Sequence, residues 1–199
     1  MRFNILNTEV YISFTFLGIL VLMVVDGNAY TYIVALCSSI LHELIHVLTI
    51  LVFRGKIYRI SLSIFGGNIY RDDHSLDYFK EAIINLSAPI TNLVIGVVSI
   101  VLSYDYIGYI NIFIGTFNIC PFYNFDGGRG LENLLKMKFD LNFCERIIFV
   151  TSIVTILGFS VFIFYLVYMG SVSYSLILII FYLISCICVK IFTDTRKRV

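Results

Sequence analysis

Apolar residues in this chain gather into long runs broken by short polar connectors, with runs at roughly 10–25, 30–53, 82–103, 107–122, 147–169 and 174–191. Each approaches the ~20 residues that a helix needs to cross a hydrocarbon layer of ~30 Å. The pattern predicts an all-α polytopic membrane protein with six transmembrane helices, folded as a single membrane-embedded domain over residues 1–199. The first run, Val10 to Val25, has neither a strongly basic start nor a small-residue cleavage site, so it is predicted to be a retained span rather than a signal peptide. One connector has a different period. Ile60, Leu62 and Ile64 alternate with Arg59, Ser61 and Ser63, Gly66-Gly67-Asn68 follows as a turn signal, and Ile69-Tyr70 can return. This predicts a small β-hairpin after the second helix.

Composition makes the lipid bilayer the first partner of the chain. Hydrophobic residues are 59% of the sequence and the mean hydropathy is +0.94, more apolar surface than a soluble core of this size could hide. Charge then orients the spans. The connectors at Asp26–Ala29, Tyr104–Tyr106 and Gly170–Ser173 carry no Lys or Arg, and with six spans all 14 basic residues fall on the opposite side. The positive-inside rule makes that side cytoplasmic, so a multi-pass protein of the cell membrane with both termini in the cytoplasm is expected. A net charge of +1, with no basic stripe interleaved with aromatics, argues against a nucleic-acid partner. The five cysteines have neither disulfide nor zinc-ribbon spacing.

Within the second run lies His42-Glu43-Leu44-Ile45-His46, an H-E-x-x-H sequence whose histidines, four apart, face the same way on a helix. That spacing suits one tetrahedral zinc ion, and Glu43 beside it is free to take a proton from water. A structural role for three ionisable groups in five residues is hard to sustain, because each costs about 2.5–3.5 kcal/mol at mid-span on insertion scales. A divalent cation is the simplest compensating partner. A catalytic zinc needs a third protein ligand and one open position. His74 lies among Asp72, Asp73 and Asp77 in a charged loop, where solvation explains it. Asp126 is the better candidate: it follows the fourth run where Pro121 and the pair Gly127-Gly128 should interrupt regular helix, and it approaches from the cytosolic face. His46 is eight residues before Arg54, about 12 Å below that face. Ser38, one turn before His42, reads most simply as a small residue easing helix packing, with support of His42 as the alternative.

These residues resemble the site-2 type intramembrane metalloproteases, whose pattern is H-E-x-x-H in one span and N-x-x-P-x-x-x-x-D-G in a later one, with G-P-x-x-N between them. Here the counterparts are His42 to His46, Asn118 to Gly127, and Ala88-Pro89-Ile90-Thr91-Asn92, so the resemblance covers about residues 30–130. Within the family the chain looks like the compact bacterial six-span group related to the stage IV FB sporulation protease. The resemblance implies zinc (Zn2+) held by His42, His46 and Asp126, acid/base work by Glu43, and a place near the substrate for Asn118. It also implies cleavage of a membrane-anchored protein substrate, such as a tethered regulator of the sporulation sigma-factor precursor kind, and membrane partners that regulate the enzyme.

The strand signal adds a way of holding that substrate. An unwound segment carries backbone donors and acceptors that are costly to leave unpaired, and a strand through Ser61 and Leu62 with an open edge would satisfy them. A membrane zinc transporter or a catalytically silent scaffold is the competing expectation; it needs ligands but no general base, and Glu43 is present.

Overall fold

The computed structural model describes residues 2–5, 8–12, 29–55, 57–63, 66–71, 76–169, 184–185 and 187. Among them are five helices, α1 (Ala29–Val52), α2 (Tyr78–Val101), α3 (Asp105–Ile119), α4 (Asp126–Lys136) and α5 (Leu141–Tyr168). Four strands, β1 (Arg2–Ile5), β2 (Thr8–Ile12), β3 (Ile57–Ser63) and β4 (Gly66–Arg71), form one sheet in that order. The helices α1 (from Tyr30), α2 and α5 are long and apolar enough to cross a membrane, the make-up of a membrane protein.

The helices are built inside out relative to a soluble domain. On α1 the buried stripe is Ser38, His42, His46 and Ile50, each four residues after the last, while Ile33, Ile40, Leu44, Leu48 and Leu51 face outward. The buried positions of α3 are Gly108, Asn111 and Gly115, and those of α2 include Ala88, Asn92 and Gly96. Small and polar residues thus line the helix contacts and large apolar ones line the outside, as expected where lipid replaces water and packing rests on close backbone approach. A Cβ on Gly96 would lie 3.0 Å from the Gly108 carbonyl oxygen, and one on Gly108 only 2.9 Å from that of Gly96, so α2 and α3 touch backbone to backbone.

Two helices stop on left-handed residues that are not glycine. Arg54 (φ 60°) ends α1 and Ser103 (φ 64°) ends α2. In both, the N–H one residue later reaches five residues back, Gly55 to the Ile50 oxygen at 2.9 Å and Tyr104 to the Ser99 oxygen at 2.8 Å, capping carbonyls the helix leaves orphaned.

Several expectations change. Val10, Tyr11 and Ile12, the start of the first expected span, belong to β2, and the rest of that span lies outside the described residues. So does the span at 174–191, apart from residues 184, 185 and 187. Gly66, Gly67 and Asn68, expected as a turn, begin strand β4. The open edge expected at Ser61 and Leu62 is absent: β3 pairs in parallel with β2 and antiparallel with β4, so Ser61 faces Tyr11 and Asn68, and Leu62 faces Ile12 and Gly67. The outer strands of the described sheet are β1 and β4. Finally, Gly127 and Gly128 do not break a helix; they lie in the first turn of α4. The interruption is confined to the segment from Cys120 to Phe125.

Candidate metal centre

The segment between α3 and α4 determines where Asp126 sits. Cys120, ahead of Pro121, adopts the extended backbone (ψ 138°) that a following proline favours, and α3 ends there. The released chain is held by an aromatic wedge in which the ring of Phe125 lies 4.5 Å from Phe117 and 4.9 Å from Phe122. Its backbone is not left unpaired: the Tyr123 N–H donates to Ser152 Oγ on α5 at 3.0 Å. The new helix then starts against the old one. A Cβ on Gly127 would fall 2.0 Å from the Ile119 carbonyl oxygen and one on Gly128 1.9 Å from that of Phe122, so no side chain fits at either position. Asp126, first residue of α4, is thereby fixed beside α1, and its carboxylate lies at the positive end of the α4 dipole.

Three candidate ligand atoms converge. Oδ2 of Asp126 stands 2.9 Å from His42 Nε2 and 3.1 Å from His46 Nε2. All three lie within 4.8 Å of one another, and the two imidazoles meet edge to face with ring centres 5.0 Å apart. Both histidines are buried. What lies behind each ring decides its chemistry. His46 Nδ1 is 2.9 Å from the Ile84 carbonyl oxygen, which can only accept, so this nitrogen carries the proton and Nε2 is left with a lone pair. His42 Nδ1 is 3.1 Å from Asn92 Oδ1, with the same consequence. Two nitrogen lone pairs and a carboxylate oxygen, all acceptors, therefore point at one another in a buried place.

With both imidazoles neutral such an arrangement is repulsive, and either a proton on Nε2 or a metal cation at its centre relieves it. Tetrahedral zinc with ligand bonds of ~2.0–2.1 Å holds its donor atoms about 3.3 Å apart, comparable to the 2.9 and 3.1 Å from Asp126 Oδ2 to the two imidazole nitrogens. The donor set of two imidazoles and one carboxylate, each imidazole braced by an outer hydrogen bond, fits a zinc ion.

The structure thus brings His42, His46 and Asp126 together. Glu43 is half-buried, next to His42 in the chain. Asn118 is half-buried and its Nδ2 donates to the Ile114 oxygen at 3.0 Å, within its own helix. Ser61 and Leu62 lie on β3, an inner strand of the described sheet, and His74 lies outside the described residues. Asn92, Asn111 and Ser152 are buried polar residues to which the sequence alone assigns no role. Each is a polar side chain inside an apolar run, which is expensive without a partner, and Asn92 also closes the counterpart of the G-P-x-x-N motif.

Comparison of the sequence with protein-family models finds no match, and comparison with curated proteins finds none either. The fold does have a solved counterpart. The chain superposes on the site-2 protease from Methanocaldococcus jannaschii with a TM-score of 0.65 and 24% sequence identity, covering 92% of this chain and 91% of that one. At this identity the likeness is one of fold.

Proposed function

We propose that the chain is an intramembrane zinc metalloprotease of the site-2 type, which hydrolyses a peptide bond in or near a membrane-embedded segment of an anchored protein. One observation carries the reading: the Nε2 atoms of two buried histidines, each with its Nδ1 against a carbonyl-type oxygen, converge at 2.9 and 3.1 Å on one carboxylate oxygen. The fold shared with a solved site-2 protease supports it independently.

In this reading His42, His46 and Asp126 hold the metal, which when bound supplies Lewis acidity toward a carbonyl and a water. Glu43 accepts a proton from the attacking water and delivers it to the leaving amine. A helical substrate hides its carbonyls in its own hydrogen bonds, so it must unwind before the bond is reached; segments with Gly, Asn or Pro near the cut suit this need. Asn118, at the end of α3 beside the interruption, is assigned a place near the unwound segment. The membrane topology proposed with it is six spans and both termini in the cytoplasm of the cell membrane, where cleavage would release a tethered regulator. A site that only carries or stores metal is disfavoured by Glu43, an acid with no use in such a site.

The test is Glu43→Gln, in proteoliposomes with a reporter containing a single transmembrane segment. The amide preserves shape but cannot accept the proton, so zinc content should be unchanged while cleavage falls by at least ~100-fold. Cleavage by the variant at the wild-type rate would overturn the mechanism, and a wild-type protein that binds no zinc would overturn the reading.

A further inference from the structure

Behind the metal centre a row of buried side chains crosses three helices. His42 Nδ1 meets Asn92 Oδ1 at 3.1 Å, Asn92 Nδ2 donates to Asn111 Oδ1 at 3.1 Å, and Asn111 Nδ2 donates to Ser38 Oγ at 3.0 Å and to the Ile107 carbonyl oxygen at 2.9 Å. Asn92 and Asn111 are 1% and 2% exposed, so water does not compete for these groups.

The row has a direction, and its far end sets it. A backbone carbonyl can only accept, so the Ile107 oxygen requires the NH2 group of Asn111 on its side. The oxygen of Asn111 must then face Asn92 and accept from it. That requires the NH2 of Asn92 to point at Asn111 and its oxygen to point at His42. An oxygen there can only accept, so Nδ1 of His42 holds the proton and Nε2 is left open toward Asp126. Reversing Asn111 would set acceptor against acceptor at Ile107 and donor against donor at Asn92, and reversing Asn92 alone would set acceptor against acceptor at Asn111, in surroundings where an unmade hydrogen bond costs ~1–3 kcal/mol.

We infer that Asn111 is a positioning residue: through Asn92 it fixes the tautomer of His42 and so keeps that histidine's metal-binding nitrogen unprotonated. His46 has its tautomer set directly by the Ile84 carbonyl, so the two ligands are prepared by different means, one by backbone and one by replaceable side chains. The inference rests on the metal reading of the same three ligands. In Asn111→Leu the amide of Asn92 loses its acceptor and can turn, offering N–H to His42 Nδ1. The imidazole proton then moves to Nε2 and competes with the metal.

The experiment is zinc affinity by chelator competition on the purified full chain, together with the d–d spectrum of the cobalt-substituted protein. Asn111→Leu should weaken zinc binding about ten-fold, within the range usual for outer partners of a ligating histidine. Asn111→Asp keeps an oxygen facing Asn92 in either protonation state and should bind within about three-fold of wild type, again on the scale set by such partners. Asn111→Ser, too short to reach Asn92, should repeat the leucine result and replaces it if that variant fails to insert. In a background of Asn92→Leu, itself weakened, Asn111→Leu should cost nothing more, since its effect passes through Asn92. Equal affinity and an unchanged cobalt spectrum in Asn111→Leu and Asn111→Ser, or a full additive loss in the double variant, would overturn the inference while leaving zinc binding by the wild type intact. Absence of zinc from the wild type would instead overturn the metal reading beneath it.

Discussion

The backbone N–H of Tyr123 donates to the Oγ of Ser152 at 3.0 Å, and that same hydroxyl donates to the Ile148 carbonyl at 2.6 Å. A serine on α5 thereby secures the non-helical segment that carries Asp126 into place. Ser152→Ala removes the hydroxyl that accepts from the part-buried Tyr123 N–H, and is expected to cost about 1 kcal/mol of stability. It should also loosen zinc binding, although Ser152 touches no ligand. Thermal unfolding with and without a chelator checks both; a variant as stable as wild type and equally tight for zinc would remove this anchoring role.

Asp126→Ala should lose zinc more severely than any outer partner, beyond the ~10–100-fold typical of those. Metal analysis after dialysis against a weak chelator reads this directly. Full occupancy at wild-type affinity would move the third ligand elsewhere.

The glycines at the start of α4 make a sharper comparison. Gly127→Ala places a Cβ 2.0 Å from the Ile119 backbone oxygen, whereas Gly158→Ala, within α5, meets nothing within 4 Å. The first should destabilise by ~3 kcal/mol or more and release zinc, because backbone must move to admit the methyl. The second should be neutral or stabilising by ~0.5–1 kcal/mol. Similar melting temperatures for the two variants would show that α4 does not start hard against α3.

Strand pairing leaves β4 as an outer strand of the described sheet, where addition of a substrate segment can be tested. With β3 paired on both sides, an unwound segment could add at β4, and since alternate residues turn their N–H outward, Asn68→Pro and Ile69→Pro made separately probe both registers. At least one should lose most cleavage while keeping zinc and membrane insertion. Wild-type cleavage by both would exclude strand addition on β4 and leave the metal chemistry untouched.

Topology has its own check. Single cysteines at Tyr58 and Asp77, both exposed, should react with an impermeant reagent only from the cytoplasmic side, in a background without reactive native cysteines. Reaction from outside in intact cells would reverse the orientation.

What could be read from the sequence follows from the range of the forces involved. The histidine pair was legible because its spacing equals the helix repeat, and Asp126 because Pro121 and two glycines advertise an interruption near the cytosolic side. Strand β2 was not, since Val10 to Ile12 open an apolar run and such runs do not distinguish strand from helix at their ends. Helix α4 was hidden because glycines at its start read as breakers, whereas here they allow two backbones to meet. Asn111 and Ser152 were silent, and Asn92 was only a motif position without a role, because each has its meaning in a partner on another helix. The unpaired edge predicted at Ser61 failed for the same reason: the strand that covers it comes from the far N-terminal end of the chain.

The two histidines and the aspartate lie 84 and 80 residues apart along the chain. A ribosome that has delivered only α1 and α2 into the bilayer has therefore made both imidazoles and Glu43 but nothing able to complete the centre. For the proposed protease, competence would therefore arrive late in biogenesis, when α4 docks, and a half-inserted chain would carry the H-E-x-x-H motif in the membrane without its third ligand.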